Sequence, residues 1–303
     1  MHVSIDVGSN TVRLLIAEFE QNQLIPRHYG RVITRLGGRY SSDKGLASDA
    51  MERTLVALED FNAQLSGLSL CSLRVVGTEV VRKAGNRHHF IAEIKRRCGF
   101  DLEVLTGEEE ASLSALGALA VLKPHPSQAL IFDLGGGSLE LILYRFGKVL
   151  WRHSQPLGVV ALSEQYPDAL ARATVIAQHV LQVQDLLRRG GLIQLIVADQ
   201  VQLVGTAGTV TTLAAIVLGM DVYQGELVNN TCLQYGQLLE LQSSLAKMSL
   251  AERRQVKGIE SGREDLILPG LEIILELMKV CHKRSFKVCD SGLLEGVILD
   301  RFV

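Results

Sequence analysis

Two short runs in this chain combine an acid, a glycine turn and small residues: Asp6-Val7-Gly8-Ser9-Asn10-Thr11 and Asp133-Leu134-Gly135-Gly136-Gly137-Ser138. Such a turn leaves several backbone N–H groups approachable, because no bulky side chain shields the main chain, and so it cradles an anion such as phosphate. Asp6, Asp133 and Glu140 add hard oxygen ligands suited to Mg²⁺ or Mn²⁺, directly or through water. One turn alone reads equally well as a plain hairpin. The pair does not, because Asp6 to Asp133 is a shift of 127 and the same shift carries Gly8 to Gly135 and Leu14 to Leu141 without a gap. Gly205-Thr206-Ala207-Gly208-Thr209 is a third loop of this kind, with Gly208 and Thr209 entering a helix whose N-terminus favours anions. Its competing reading is glycine that only allows close helix packing.

Hydrolysis of a phosphate chain also needs a base. Glu108, Glu109 and Glu110 occupy the first turn of a helix, where carboxylates are favoured whatever the function. Thr106 and Glu109 have capping-box spacing, which leaves Glu110 as the residue expected to orient and deprotonate a water. Arg82, after a strand ending near Val76, and Arg13, just past the first turn, offer guanidinium forks for phosphate oxygens. Lys95-Arg96-Arg97 is either a basic rim or an exposed helix end. Ser9, Ser138 and Thr209 have no histidine and acid beside them in the sequence, so direct attack by water is expected in place of a covalent intermediate.

The elements that must hold these residues alternate. Each glycine turn sits between apolar strands in a three-stranded meander, with polar turns near Gln21-Asn22 and Gly147. Between the copies the patterns read helix Asp49 to Leu65, strand Leu73 to Val76, helix Arg87 to Cys98, strand Leu102 to Leu105 and a helix to about Leu122. Further helices follow around Asp168 to Arg189, Thr209 to Leu218, Tyr235 to Lys247 and Glu264 to Val280, then a strand Phe286 to Cys289 and a helix Leu293 to Phe302. The class is α/β. Two lobes are expected, 1–123 and 124–290, crossing at Lys123-Pro124-His125-Pro126-Ser127.

A chain of 303 residues with a net charge of −2 has room for two cores, and no basic excess suggests nucleic-acid or membrane binding. The five cysteines have no metal or disulfide spacing and read as buried reduced thiols, and no apolar stretch is long enough for a membrane span, so the expected location is the cytoplasm.

At these positions the chain resembles the exopolyphosphatase and guanosine pentaphosphate phosphatase family, within the superfamily of sugar kinases, actin and Hsp70. The resemblance rests on IDVGSNTVRLLI at 5–16, VGTEVVRKAGN at 76–86, TGEEEA at 106–111, FDLGGGSLEL at 132–141, VGTAGT at 204–209, REDLILPGLEII at 263–274 and DSGLLEGVILD at 290–300. It implies a two-lobed ribonuclease-H-like fold with phosphate bound between the lobes, Mg²⁺ dependence and release of orthophosphate from chain ends. It places the catalytic glutamate on Glu110, metal- and water-linked acids on Asp133 and Glu140, and the phosphate-contacting arginine on Arg82. The phosphate loops fall on Gly8, Ser9 and Asn10, on Gly135, Gly136 and Gly137, and on Gly208 and Thr209. Leu294 stands where many relatives carry arginine, and the extra helical domains of longer relatives do not follow Val303.

Inorganic polyphosphate is the expected substrate, guanosine pentaphosphate the close alternative, and the helical second lobe could support a homodimer. A non-catalytic sensor is disfavoured because Glu110, Asp133 and Glu140 would repel a polyanion unless a metal is present. An ATP-using kinase is disfavoured by the Thr106 to Ala111 segment, which supplies a base.

Overall fold

The structure is a computed structural model and describes the chain apart from residues 21, 22, 42, 199 and 301–303. The expected turn at Gln21-Asn22 and the last residues of the expected C-terminal helix therefore lie outside the described residues. The chain forms two compact units, Met1–Gly117 with Gly292–Val303, and Ala118–Ser291.

The first unit begins with β1 (His2–Val7), β2 (Thr11–Glu20) and β3 (Gln23–Ile33), then α1 (Ser48–Leu65), β4 (Ser72–Gly77), α2 (Glu79–Lys83), α3 (Arg87–Cys98), β5 (Leu102–Val104) and α4 (Gly107–Val121). Its sheet has the order β3-β2-β1-β4-β5. The meander is antiparallel, whereas β4 and β5 join in parallel after helical crossovers. Val3, Ile5 and Val7 on β1 and Val12, Leu14 and Ile16 on β2 are buried with Leu55, Leu58 and Phe61 of α1. Gly30 permits this packing, because a Cβ there would press on the Phe61 ring at 3.0 Å.

The second unit repeats the plan. It runs β6 (Gln128–Leu134), β7 (Leu139–Arg145), β8 (Lys148–Gln155), α5 (Val159–Gln165), α6 (Ala169–Arg189), α7 (Ile193–Val197), β9 (Gln202–Thr206), α8 (Gly208–Val217), α9 (Gly225–Val228), β10 (Cys232–Gln234), α10 (Tyr235–Ala246), α11 (Leu250–Arg253), α12 (Ile267–Val280) and β11 (Ser285–Val288). The sheet order β10-β11-β9-β6-β7-β8, read from β8 inward, reproduces the first sheet and adds one strand at its far edge. The second core is the larger, because α6, α8 and α12 bury apolar faces that include Val180, Val183, Leu213, Leu271 and Ile274.

The last helix, α13 (Leu293–Leu299), belongs to the first unit, where Leu294 and Ile298 are buried with Leu15 and Ala17 of β2 and the Ser4 hydroxyl donates to Leu294 O at 2.8 Å. The division between units falls inside α4, at Gly117/Ala118, and not in the Lys123–Ser127 segment. The helix end beyond it is tied to the second unit: Cys289 Sγ lies 3.6 Å from Ala118 O, and Asn230 Nδ2 donates to Val121 O. The cysteine expectation needs correction. Cys98, Cys281 and Cys289 are buried, but Cys71 and Cys232 are exposed. Burial pushes the Cys98 thiol up to about 11 and the Cys281 thiol up to about 12, so both are inert.

Candidate active site

The two glycine turns are closed in the same way. The Gly8 amide donates to Thr11 O at 3.1 Å and the Gly135 amide to Ser138 O at 2.9 Å. Each loop's carbonyls are then drawn back into its own unit. Ser9 O accepts from Gly37 N, and Asn10 O from Thr34 N and Arg35 N; Gly135 O and Gly136 O accept from Val159 N and Val160 N. The amides of Ser9, Asn10, Gly136 and Gly137 meet no protein acceptor among the described residues. Donors without acceptors beside carbonyls engaged elsewhere are what an anion cradle requires. Glycine is needed on both sides of the second turn, since a Cβ on Gly158 would run into the Gly136 and Gly137 backbone.

The strands flanking these turns carry different charges. In the first unit Asp6 and Arg13 are direct cross-strand partners, and Arg13 Nε and Nη2 donate to Asp6 Oδ2 at 3.0 and 2.6 Å. Arg13, expected at the phosphate, is therefore turned onto Asp6, because the hairpin register sets the two side chains opposite each other. Asp6, expected as a metal ligand, has one oxygen neutralised in this way. Its Oδ1 is buried without a hydrogen-bond partner. In the second unit the same register pairs Asp133 with Glu140, two carboxylates on adjacent strands, with Glu140 only 2% exposed.

The two carboxylates on adjacent strands of the second unit are hard oxygen donors that fit Mg²⁺ or Mn²⁺, and in the first unit the buried Asp6 Oδ1 is a donor of the same kind. Among the described residues no three His, Cys, Asp or Glu side chains converge as an all-protein cage. Mg²⁺ suits such a partial site, since it keeps several waters and commonly takes one or two carboxylates plus phosphate oxygens.

Glu110 differs from its neighbours. Glu108 and Glu109 are exposed, whereas Glu110 is 8% exposed. The capping box forms as expected: Thr106 N donates to Glu109 Oε2 at 2.8 Å and Glu109 N to Thr106 Oγ1 at 3.2 Å. Arg82 lies on the short helix α2, which the sequence reading did not anticipate. Its Nη1 donates to Leu105 O at 2.7 Å and to Glu110 Oε2 at 3.0 Å. Arg82 thus fixes the Glu110 carboxylate, while its Nε and Nη2 are not engaged by protein among the described residues.

The third loop leaves β9 through Ala207, at a φ of 74°, and enters α8 at Gly208 with no side-chain cap on the helix. A Cβ on Gly208 would run into the guanidinium of Arg263, so glycine here makes room for a cation. Arg263 is a residue that sequence reasoning missed; its signal was a basic residue after Gly262, just ahead of α12. Its segment is anchored by Glu264, whose carboxyl accepts from Gly262 N at 2.6 Å and pairs with Arg254. Burial raises the Glu264 pKa, but these partners outweigh it and hold the group below the usual carboxylate range. Arg263 Nε lies 3.5 Å from Glu260 Oε2, and a guanidinium beside the positive end of a helix is a combination that an anion further favours.

Residues 15–302 match the Ppx/GppA phosphatase family. The chain belongs to this family. Exopolyphosphatase 2 of Mycobacterium tuberculosis is 30% identical over 313 residues, which cover 98% of this chain and 97% of the relative. The PPX-GPPA enzyme of Aquifex aeolicus superposes with a TM-score of 0.80 at 29% identity, over 99% of this chain and 98% of that one. An exopolyphosphatase from Cytophaga hutchinsonii shares the fold, with a TM-score of 0.88 at 23% identity over 99% and 97% of the two chains. As a Ppx/GppA phosphatase the protein is a hydrolase acting on phosphoanhydrides, and its α/β fold of two mixed sheets is that of the solved family members.

Two other expectations resolve within this family member. Lys95, Arg96 and Arg97 are ion-paired within the first unit, with Asp101, with Glu93, and with Glu52 and Glu59 of α1. Leu294 lies in the apolar cluster with Leu15 and Ala17 of β2.

Proposed function

We propose that this phosphatase removes the terminal phosphoryl group of inorganic polyphosphate, releasing orthophosphate. The observation that carries the reading is the pair of identically closed turns whose amides lack protein acceptors. In this reading the amides of Ser9, Asn10, Gly136 and Gly137 and the first turn of α8 donate to phosphoryl oxygens, where fixed dipoles stabilise charge without reorganisation. Thr11 and Ser138 close those turns, and Gly135, Gly208 and Thr209 shape them. Arg82 holds the Glu110 carboxylate through Nη1 and offers Nε and Nη2 to phosphate oxygens. Glu110 orients the attacking water and accepts its proton. Asp133 and Glu140 would hold Mg²⁺ or Mn²⁺, which when bound neutralises phosphate charge. The name of the 30% identical relative favours polyphosphate over guanosine pentaphosphate. We place the enzyme in the cytoplasm, where its five unpaired thiols persist reduced.

The test is phosphate release from long polyphosphate, short polyphosphate and guanosine pentaphosphate, side by side, with and without Mg²⁺. Fastest turnover on polyphosphate with Mg²⁺ is expected; a clear preference for guanosine pentaphosphate overturns the substrate assignment. Glu110→Gln should slow release by roughly 10²- to 10⁴-fold while substrate binding persists. Unchanged turnover in that variant removes Glu110 from the mechanism.

A further inference from the structure

The register that pairs Asp133 with Glu140 continues to a third residue. On β8 Ser154 stands directly opposite Glu140, so Asp133, Glu140 and Ser154 form one row across β6, β7 and β8. The Ser154 hydroxyl donates to Glu140 Oε1 at 2.9 Å. We infer that Ser154 is the positioning residue of the second turn: its hydroxyl fixes the Glu140 carboxylate in the orientation that receives a divalent cation. This rests on the reading of Asp133 and Glu140 as the cation's ligands.

Three observations support it. First, cross-strand neighbours have Cβ atoms about 4.5–5.5 Å apart, so two carboxylates placed this way repel each other. Ser154 holds the Glu140 carboxylate from the strand on the side opposite Asp133. Second, Ser154 is itself rigidly placed although β8 is the edge strand of its sheet. The next residue, Gln155, is 4% exposed and points to the other side of the strand. It is clamped there by His153 Nε2 at 2.8 Å, His179 Nδ1 at 2.7 Å and Gln182 Oε1 at 2.9 Å. Third, the same stretch of chain continues into Val159 and Val160, whose amides bond Gly135 O and Gly136 O. Residues 154–160 therefore secure both the acid and the glycine loop. The corresponding row in the first unit is Asp6, Arg13 and Arg31, which has no hydroxyl. The device belongs only to the copy that carries two acids.

Outer partners of metal ligands typically contribute 10- to 100-fold to metal affinity or activity. Ser154→Ala, Ser154→Val and Ser154→Thr separate hydroxyl from shape, since Val and Thr differ only in that group. Mn²⁺ binding to substrate-free protein, followed by electron paramagnetic resonance, is the primary readout. Thermal melting and the dependence of kcat on metal concentration accompany it. The Ala and Val variants should bind Mn²⁺ about 10-fold more weakly, with an unchanged melting temperature and a raised metal requirement, and Thr should restore most of the affinity. Glu140→Gln is the control. If it weakens Mn²⁺ binding while Ser154→Val binds as the parent does, the inference about Ser154 is wrong. If Glu140→Gln also binds as the parent does, the ligand assignment beneath it has failed and the inference falls with it.

Discussion

The two units carry the same hairpin with opposite electrostatic solutions. In each, an aspartate is the last residue but one of the first strand, a glycine amide closes the turn, and the residue directly opposite the aspartate comes seven positions later. In the first unit that residue is Arg13, which neutralises Asp6 from within the fold. In the second it is Glu140, which leaves two carboxylates side by side, and a site of that kind is stabilised when a cation arrives from solution. A duplicated backbone can thus divide its labour by changing one side chain of a cross-strand pair. The first copy sets opposite charges across its hairpin, whereas the second sets like charges there.

The sharpest way to break this contrast is Glu140→Arg, which rebuilds the first unit's pair in the second. Phosphate release should fall on the order of 10³-fold or more, because charge neutralisation by a metal is worth several kcal/mol. The melting temperature should hold or rise as Asp133 gains a guanidinium partner. A destabilised variant would show that the two hairpins are not interchangeable. The third loop has no counterpart to this contrast and is probed by Gly208→Ala, whose Cβ displaces the Arg263 guanidinium. A lost charge-assisted hydrogen bond of about 1.5–3 kcal/mol corresponds to a fall in kcat/KM of about 10- to 100-fold, read from steady-state kinetics.

Arg13→Leu and Glu140→Gln should move stability in opposite directions. Removing Arg13 leaves Asp6 buried without its cation. Breaking a fully buried pair costs about 3–5 kcal/mol, and with the Arg13 side chain 30% exposed a loss of about 2 kcal/mol in urea unfolding is expected. Removing one acid from the second pair, in metal-free buffer, should be neutral or stabilising. A loss of stability in both would mean that Asp133 and Glu140 are not in conflict. The smallest effect concerns His179, which accepts from Gln155 Nε2 through Nδ1. Burial lowers its pKa from the usual value. The neutral form is favoured by the fold, so the stability it contributes is present above about pH 6.5 and is lost as pH falls through the lower folded-state value. Melting curves from pH 7.5 to 5 should show a shallower decline in His179→Gln than in the parent.

Much of this molecule is written in neighbouring residues. The recurrence of Asp-x-Gly at a shift of 127 marked the duplication, and the capping box at Thr106 and Glu109 singled out Glu110, because such patterns depend on a few consecutive backbone angles. Helix spans agreed closely where apolar periodicity was strong, as at Arg87–Cys98, while Glu264 proved to precede α12 because residues 263–266 form the turn that holds Arg263. Short helices such as α2 carried too few turns to leave a period. Hairpin register, which set Arg13 on Asp6, could have been counted outward from the turn, since pairing across a tight turn is local.

What the sequence by itself determined is the repeated phosphate-type turn, the alternation of strands and helices, and the types of residue able to do the chemistry. Only tertiary structure decided which of them meet: Arg263 lies over Gly208, and Arg97 reaches Glu52 and Glu59 on another helix, although no spacing links these positions. Backbone conformation answers to adjacent side chains, whereas a contact between distant segments exists only after whole sheets and helices have packed. The charge a side chain will face is settled at that last step.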